Sequence, residues 1–149
     1  MKSILLVEDD PHLLKVLQRV FRPFASEWEL TTASDGLQAV DLLQARRFDL
    51  IVTDILMPGR DGLETIAAAR RVSPQMKIIA MTSEGFFRGA GFLHVAQLLG
   101  AHETFAKPFD PEHLLAAIHD LLLSAENESL ATGAALPAVV EVERSPTAP

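Results

Sequence analysis

Three runs in this chain are too continuously apolar to alternate: Ile4-Leu5-Leu6-Val7, Leu50-Ile51-Val52 and Ile78-Ile79-Ala80-Met81. A strand with one wet face alternates apolar and polar residues, whereas a strand covered on both faces does not. The middle run belongs to Phe48-Asp49-Leu50-Ile51-Val52-Thr53-Asp54, and turn chemistry follows in Met57-Pro58-Gly59-Arg60-Asp61-Gly62. Asp54 therefore sits where a buried strand stops and a loop opens.

Helical patterns fill the gaps. After Asp10 as a cap and Pro11 at the first helical position, Leu13, Leu17, Val20 and Phe21 recur at helical spacing until Pro23. Trp28 to Ala33 reads as a second strand. Ser34-Asp35-Gly36 then opens a helix through Leu37, Val40 and Leu43. Arg46-Arg47 and Arg70-Arg71 read as solvated helix ends. Leu63, Ile66, Ala67 and Arg70 fit a third helix, stopped before Pro74. A fourth helix is expected over about residues 91–99, with Gly100 as its C-cap. Glu103 to Ala106 is a short fifth strand. Asp110-Pro111-Glu112 opens the last helix, whose buried stripe is Leu114, Ile118, Leu121 and Leu122. A strand–helix unit repeated five times implies an α/β fold: a five-stranded parallel sheet, doubly wound, with helices on both faces.

Composition bounds the chemistry. The 149 residues are 48% hydrophobic, which suits one domain with a substantial core. A net charge of −7 makes direct nucleic-acid binding a poor expectation, because phosphate contacts need clustered Lys and Arg. The chain has no cysteine, which excludes thiolate metal sites and thiol catalysis. No apolar run approaches a membrane span, so a cytoplasmic protein is expected. From about Ser124 the composition shifts to Ala, Glu, Ser, Thr, Pro and Gly without periodicity. Residues 1–123 are therefore expected to form the folded domain and 124–149 a mostly disordered tail.

In a parallel sheet all strand C-termini lie at one edge. Four of them end here in Glu8-Asp9, Asp54, Thr82 and Lys107. Carboxylates with room for water suit Mg²⁺, a hard cation that keeps several waters. An ammonium and a hydroxyl beside such a metal make a receptor for a phosphoryl group. A central carboxylate can then act as nucleophile and form an acyl phosphate.

Four segments carry a family resemblance: Ile4 to Asp10, Asp49 to Gly62, Ile78 to Ser83, and Lys107-Pro108-Phe109. Together, over Lys2 to Leu123, they resemble a bacterial two-component response-regulator receiver domain of the stand-alone type. The resemblance implies the flavodoxin-like strand order 2-1-3-4-5. It implies Asp54 as phospho-acceptor, Asp9 as a direct Mg²⁺ ligand, and Glu8 acting on the metal through water. Leu56 would offer its backbone carbonyl to the metal, Thr82 the switch hydroxyl and Lys107 the phosphate-binding ammonium. A cis Lys107-Pro108 bond is implied as well. The implied partners are a sensor histidine kinase or histidine phosphotransfer protein and a downstream protein target; a phosphorylation-dependent dimer is compatible with them. The expected partner surface is the fourth helix, fifth strand and fifth helix.

There are departures from the family pattern. Three residues before the lysine, where the family often has an aromatic, stands Thr104, with Phe105 next. The stretch from Thr82 to Lys107 is longer than usual, and Gly85, Gly89 and Gly91 predict a mobile loop there. Phe86 and Phe87 read either as packing on the fourth helix, the commoner case, or as a partner patch. His12, His94, His102, His113 and His119 read as surface or helix histidines. Two competing functions follow from the same residues. One is a phosphorylation-independent pseudo-receiver, for which only Thr104 speaks. The other is an aspartyl phosphohydrolase, which would want a carboxylate two residues after Asp54, where Leu56 stands.

Overall fold

The computed structural model describes residues 1–57, 61–83 and 89–133. Five parallel strands, β1 (Lys2–Val7), β2 (Trp28–Ala33), β3 (Leu50–Asp54), β4 (Lys77–Ser83) and β5 (Glu103–Lys107), form one sheet in the order β2-β1-β3-β4-β5. The helices are α1 (Pro11–Phe21), α2 (Gly36–Ala45), α3 (Gly62–Val72), α4 (Gly89–Leu98) and α5 (Pro111–Gly133). A single 3₁₀ turn, Arg22–Phe24, follows α1 around Pro23. The expected fold class and strand order are the observed ones.

The continuous apolar runs are central strands, and each supplies both faces. Leu5, Val7, Ile51, Ile78 and Ala80 pack with Leu43, Ile66, Ala69 and Ala96, on the side of α2, α3 and α4. Ile4, Leu6, Leu50, Val52, Ile79 and Met81 pack with Leu17, Phe21, Leu114, Ile118 and Leu122, on the side of α1 and α5. Each such side chain, fully buried, contributes ~1.5–3 kcal/mol by its removal from water. On the second face Trp28 stacks on Phe24 at 4.7 Å between ring centroids.

Helix starts follow one device. Asp10 accepts from the His12 amide, Asp35 from Gln38, Asp61 from Glu64 and Asp110 from Glu112, all at 2.8–2.9 Å. Each bond satisfies an amide that the first helical turn leaves without a partner. α4 ends in a Schellman turn, with Ala101 N–H donating to Ala96 O (2.9 Å) and Gly100 N–H to Gln97 O (3.0 Å). Gly100 has φ +106°, a left-handed backbone that explains the glycine.

Two expectations change. The domain boundary expected at 123/124 falls inside α5, which continues to Gly133. Ala125, Glu126, Glu128, Leu130 and Ala131 are good helix formers, and no glycine or proline interrupts them before Gly133. The extension is tied to the sheet by Lys2–Glu126 (3.2 Å) and Lys77–Glu128 (2.9 Å). The fourth helix, expected from about Gly91, begins at Gly89, which takes Gly89 and Gly91 out of the loop predicted there. Gly85, Phe86 and Phe87, the turn residues Pro58-Gly59-Arg60, and the rest of the expected tail, 134–149, lie outside the described residues.

Candidate functional site

The strand C-termini meet as the topology requires. Lys107 Nζ donates to Asp54 Oδ2 at 2.7 Å and to Glu8 Oε2 at 2.6 Å, so one ammonium, 15% exposed, spans two buried carboxylates. Glu8 Oε1 accepts from the Asp10 amide at 3.0 Å. Asp54 Oδ1 accepts from the Leu56 amide at 3.1 Å, which fixes the carboxylate plane against the chain that leaves β3. Carboxylate oxygens of Glu8, Asp9 and Asp54 lie within 4.8 Å of one another, with Asp9 exposed at the rim. Thr82 lies on the neighbouring strand, one residue beyond Met81, the register partner of Asp54. Its hydroxyl is wholly buried and has no hydrogen-bond partner among the described residues. The Lys107-Pro108 bond is cis.

Among the described residues, charge at the site is out of balance, because one ammonium faces three carboxylates. Burial pushes the Glu8 carboxyl above its ordinary value, and the Lys107 and Asp10 hydrogen bonds offset only part of that. Burial alone would lower Lys107, but its bonds to Asp54 and Glu8 outweigh it, and the ammonium is held above its ordinary value. Lys107 thus remains a fixed cation. The residues fit a divalent ion: three hard oxygen donors converge with excess negative charge, which a hard cation would neutralise. The unpartnered Thr82 hydroxyl fits a further acceptor oxygen arriving beside Asp54.

Gly62 belongs to this site, although its place in the sequence shows only a turn. A Cβ there would collide with the Asp54 carbonyl oxygen and come within 2.6 Å of Ile55 Cα. Its amide donates to Ile55 O at 2.8 Å. The first turn of α3 therefore rests directly on the backbone that carries Asp54. The turn glycine was visible in sequence; its contact with the peptide of Asp54 was not.

Thr104 and Phe105 resolve by strand geometry. Thr104 pairs with Ala80, whose side chain faces α3 and α4. Phe105 pairs with Met81 and packs on the α1/α5 face, its ring 5.5 Å from that of Phe109. Phe105 thus faces away from the side on which an aromatic at 104 would lie.

Two residues assigned to solvent from sequence are instead bonded at the opposite edge of the sheet. Arg70 donates to Pro74 O (2.8 Å), Met76 O (2.9 Å) and Gly100 O. His102 Nδ1 accepts from the Ile78 amide at 3.1 Å. Their partners are main-chain atoms of the turn after α3, of Gly100 and of β4, which no residue spacing announces. Two cavities among the described residues are remote from Asp54. One of about 610 Å³ is lined by Lys2, Phe48, Met76 and Leu130. The other, about 530 Å³, lies beside Phe21 and Trp28.

A family model for the response regulator receiver domain matches residues 4–119. The chain is 41% identical over 115 residues to the transcription factor SKN7 of Chaetomium thermophilum, covering 74% of this chain and 14% of that protein. It is 31% identical over 121 residues to sporulation initiation phosphotransferase F of Bacillus subtilis, covering 81% of this chain and 94% of that protein. It thus spans a small part of the first relative and nearly all of the second. The crystal structure of a CheY-like response regulator receiver domain protein from Methanospirillum hungatei superposes with a TM-score of 0.75 at 26% identity, covering 86% of this chain and 98% of that one.

Proposed function

The chain belongs to the response regulator receiver domain family, and we propose that it accepts a phosphoryl group on Asp54 from a phosphohistidine donor. The observation that carries this reading is the arrangement around Asp54. Its Oδ2 is held by Lys107 at 2.7 Å, while the buried Thr82 hydroxyl beside it lacks a partner among the described residues. Asp54 Oδ attacks the phosphorus, the N–P bond of the donor breaks, and the released imidazole takes a proton from solvent. The product is an acyl phosphate on Asp54. Lys107 meets the transferred oxygens with a fixed positive charge, and Thr82 donates to one of them. Glu8, Asp9 and Asp54, with the Leu56 carbonyl, would hold Mg²⁺, which when bound neutralises charge on the phosphoryl oxygens. The acyl phosphate replaces one carboxylate charge by a phosphoryl group of roughly −1.5 to −2 charges and three acceptor oxygens next to Thr82, and that is the signal.

The donor would be a sensor histidine kinase or a histidine phosphotransfer protein, and the output a protein contact, including a phosphorylation-dependent dimer. Residues 1–123 would be the signalling unit. Among the described residues no helix is long and apolar enough to cross a membrane; a cytoplasmic place fits the proposed donors. Leu56, two residues after Asp54, supplies no acid or base to hydrolyse the acyl phosphate, which favours a receiver over a phosphohydrolase.

Intact mass after incubation with acetyl phosphate and Mg²⁺ tests the reading. The wild type should gain one phosphoryl adduct, absent without Mg²⁺ and absent in Asp54→Asn. A wild type that never gains the adduct, or a variant that still does, refutes it.

A further inference from the structure

The β4–β5 ladder begins at Ile79 opposite Glu103. One residue earlier the backbone of Ile78 is nonetheless satisfied, and both of its partners belong to His102. The Ile78 carbonyl accepts from the His102 amide at 2.8 Å, and the Ile78 N–H donates to His102 Nδ1 at 3.1 Å. The imidazole thus completes the ladder where a main-chain carbonyl is missing. Only the neutral ring with a bare Nδ1 can accept this bond. Arg70 Nη2 lies 3.4 Å from the same nitrogen and also binds Gly100 O, in the turn that closes α4.

The groups facing His102 come from three elements. Arg70 on α3 and Lys77 on β4 are cations, and Glu128 on α5 is a carboxylate already bonded to Lys77 at 2.9 Å. Protonation would turn Nδ1 into a donor pointed at the Ile78 N–H and the Arg70 guanidinium. It would also add a third cation to a cluster with one carboxylate. We propose that His102 is a proton-sensitive latch: neutral, it fixes the α4–β5 turn to β4; protonated, it releases that turn. The latch opens the strand that Lys107 closes, so it acts at the far end of β5 from the phosphoryl site.

Burial, then the charges of Arg70 and Lys77, hold the imidazole below its ordinary 6.5. The unfolded chain therefore binds this proton first. Stability from the latch is complete above 6.5 and is lost as the pH falls through the folded-state value.

The test is an NMR titration of the full chain from pH 7.5 to 4.5, read at the His102 ring and at the Ile78 and Gly100 amides. All three should move with one midpoint below 6.5. The Ile78 protection factor should fall about tenfold across that step, as expected for losing one buried hydrogen bond. His102→Asn keeps a carbonyl acceptor but cannot titrate, so it should retain Ile78 protection at pH 7.5 and abolish the step. His102→Ala should lower that protection at every pH. Amides that stay flat through the midpoint of the ring, or a step of equal size in His102→Asn, would overturn the latch.

Discussion

At the C-terminal edge of the sheet, among the described residues, one ammonium faces three carboxylates and a buried hydroxyl has no partner. At the N-terminal edge, Arg70 alone satisfies three carbonyls, and His102 fills the one gap in the β4–β5 ladder. The same strands run between both clusters, and both are built of polar groups. The difference lies in what is left over. Excess charge and a missing partner cost folding energy until something arrives to neutralise them, and such a place is a binding site. A polar cluster whose bonds close on itself holds loops together. Substitutions should therefore separate function from stability at one edge and leave function untouched at the other.

Gly62→Ala should have the largest effect. The new Cβ must displace either α3 or the peptide of Asp54, since backbone cannot move aside as a side chain would. A stability loss of ~3 kcal/mol in urea unfolding is expected for this overpacking. Phosphorylation by acetyl phosphate should slow beyond what the unfolded fraction explains. A variant that folds and phosphorylates like the wild type would separate Gly62 from the site.

Arg70→Ala probes the closed edge. It removes three charge-assisted bonds to carbonyls of two loops, and the partly exposed guanidinium keeps the loss to ~2 kcal/mol. Phosphoryl transfer, corrected for the folded fraction, should not change. A folded variant with impaired transfer would mean that the two edges are coupled.

The first of these clusters was legible in sequence and the second was not, for a physical reason. A parallel sheet brings its strand ends together whatever the loops do, so Glu8, Asp9, Asp54, Thr82 and Lys107 could be gathered from four separate segments. Arg70 and His102 bind main-chain atoms, which are present at every position and mark none. Each therefore read as a solvated side chain. Gly62 was visible as a turn residue, but its contact with the peptide of Asp54 needed the actual approach of α3. The overrun of α5 escaped because Ser124 to Gly133 lacks an apolar stripe, and helix propensity alone is a weak signal. Phe105 could be assigned a face only once its register with Met81 was known.

Thr82→Val sharpens the contrast by reversing the usual sign. Elsewhere, removing a polar group from a satisfied network destabilises. Here the hydroxyl is buried without a partner among the described residues, so a methyl in its place should stabilise the unphosphorylated protein by ~1 kcal/mol. The same variant should still take the adduct on Asp54 yet lose the change that phosphorylation produces in the spectra of β4 and α4. A destabilised variant would mean that the hydroxyl has a partner after all, and the open edge would then be closed.

The smallest effect belongs to the extension of α5. Truncation after Ser124 removes Glu126 and Glu128 and leaves the Lys77 ammonium, 7% exposed, without its carboxylate. Lys2–Glu126 is an exposed pair of the kind that contributes little. The Lys77 hydrogen bond and charge hold Glu128 below the ordinary glutamate value of 4.5. A depressed carboxylate lends stability that is present above the unfolded value and lost as the pH falls through the folded one. The full chain should therefore be slightly more stable than the truncated one at pH 7, and the difference should vanish in acid. Glu128→Gln should reproduce most of the difference with α5 at full length. Phosphorylation should be the same in all three proteins, because both lysines sit at strand starts and Asp54 at a strand end. Urea unfolding at pH 7 and below 4 measures it. A difference that persists in acid would assign the contribution of the extension to packing around Ala125 and Leu130 rather than to its carboxylates.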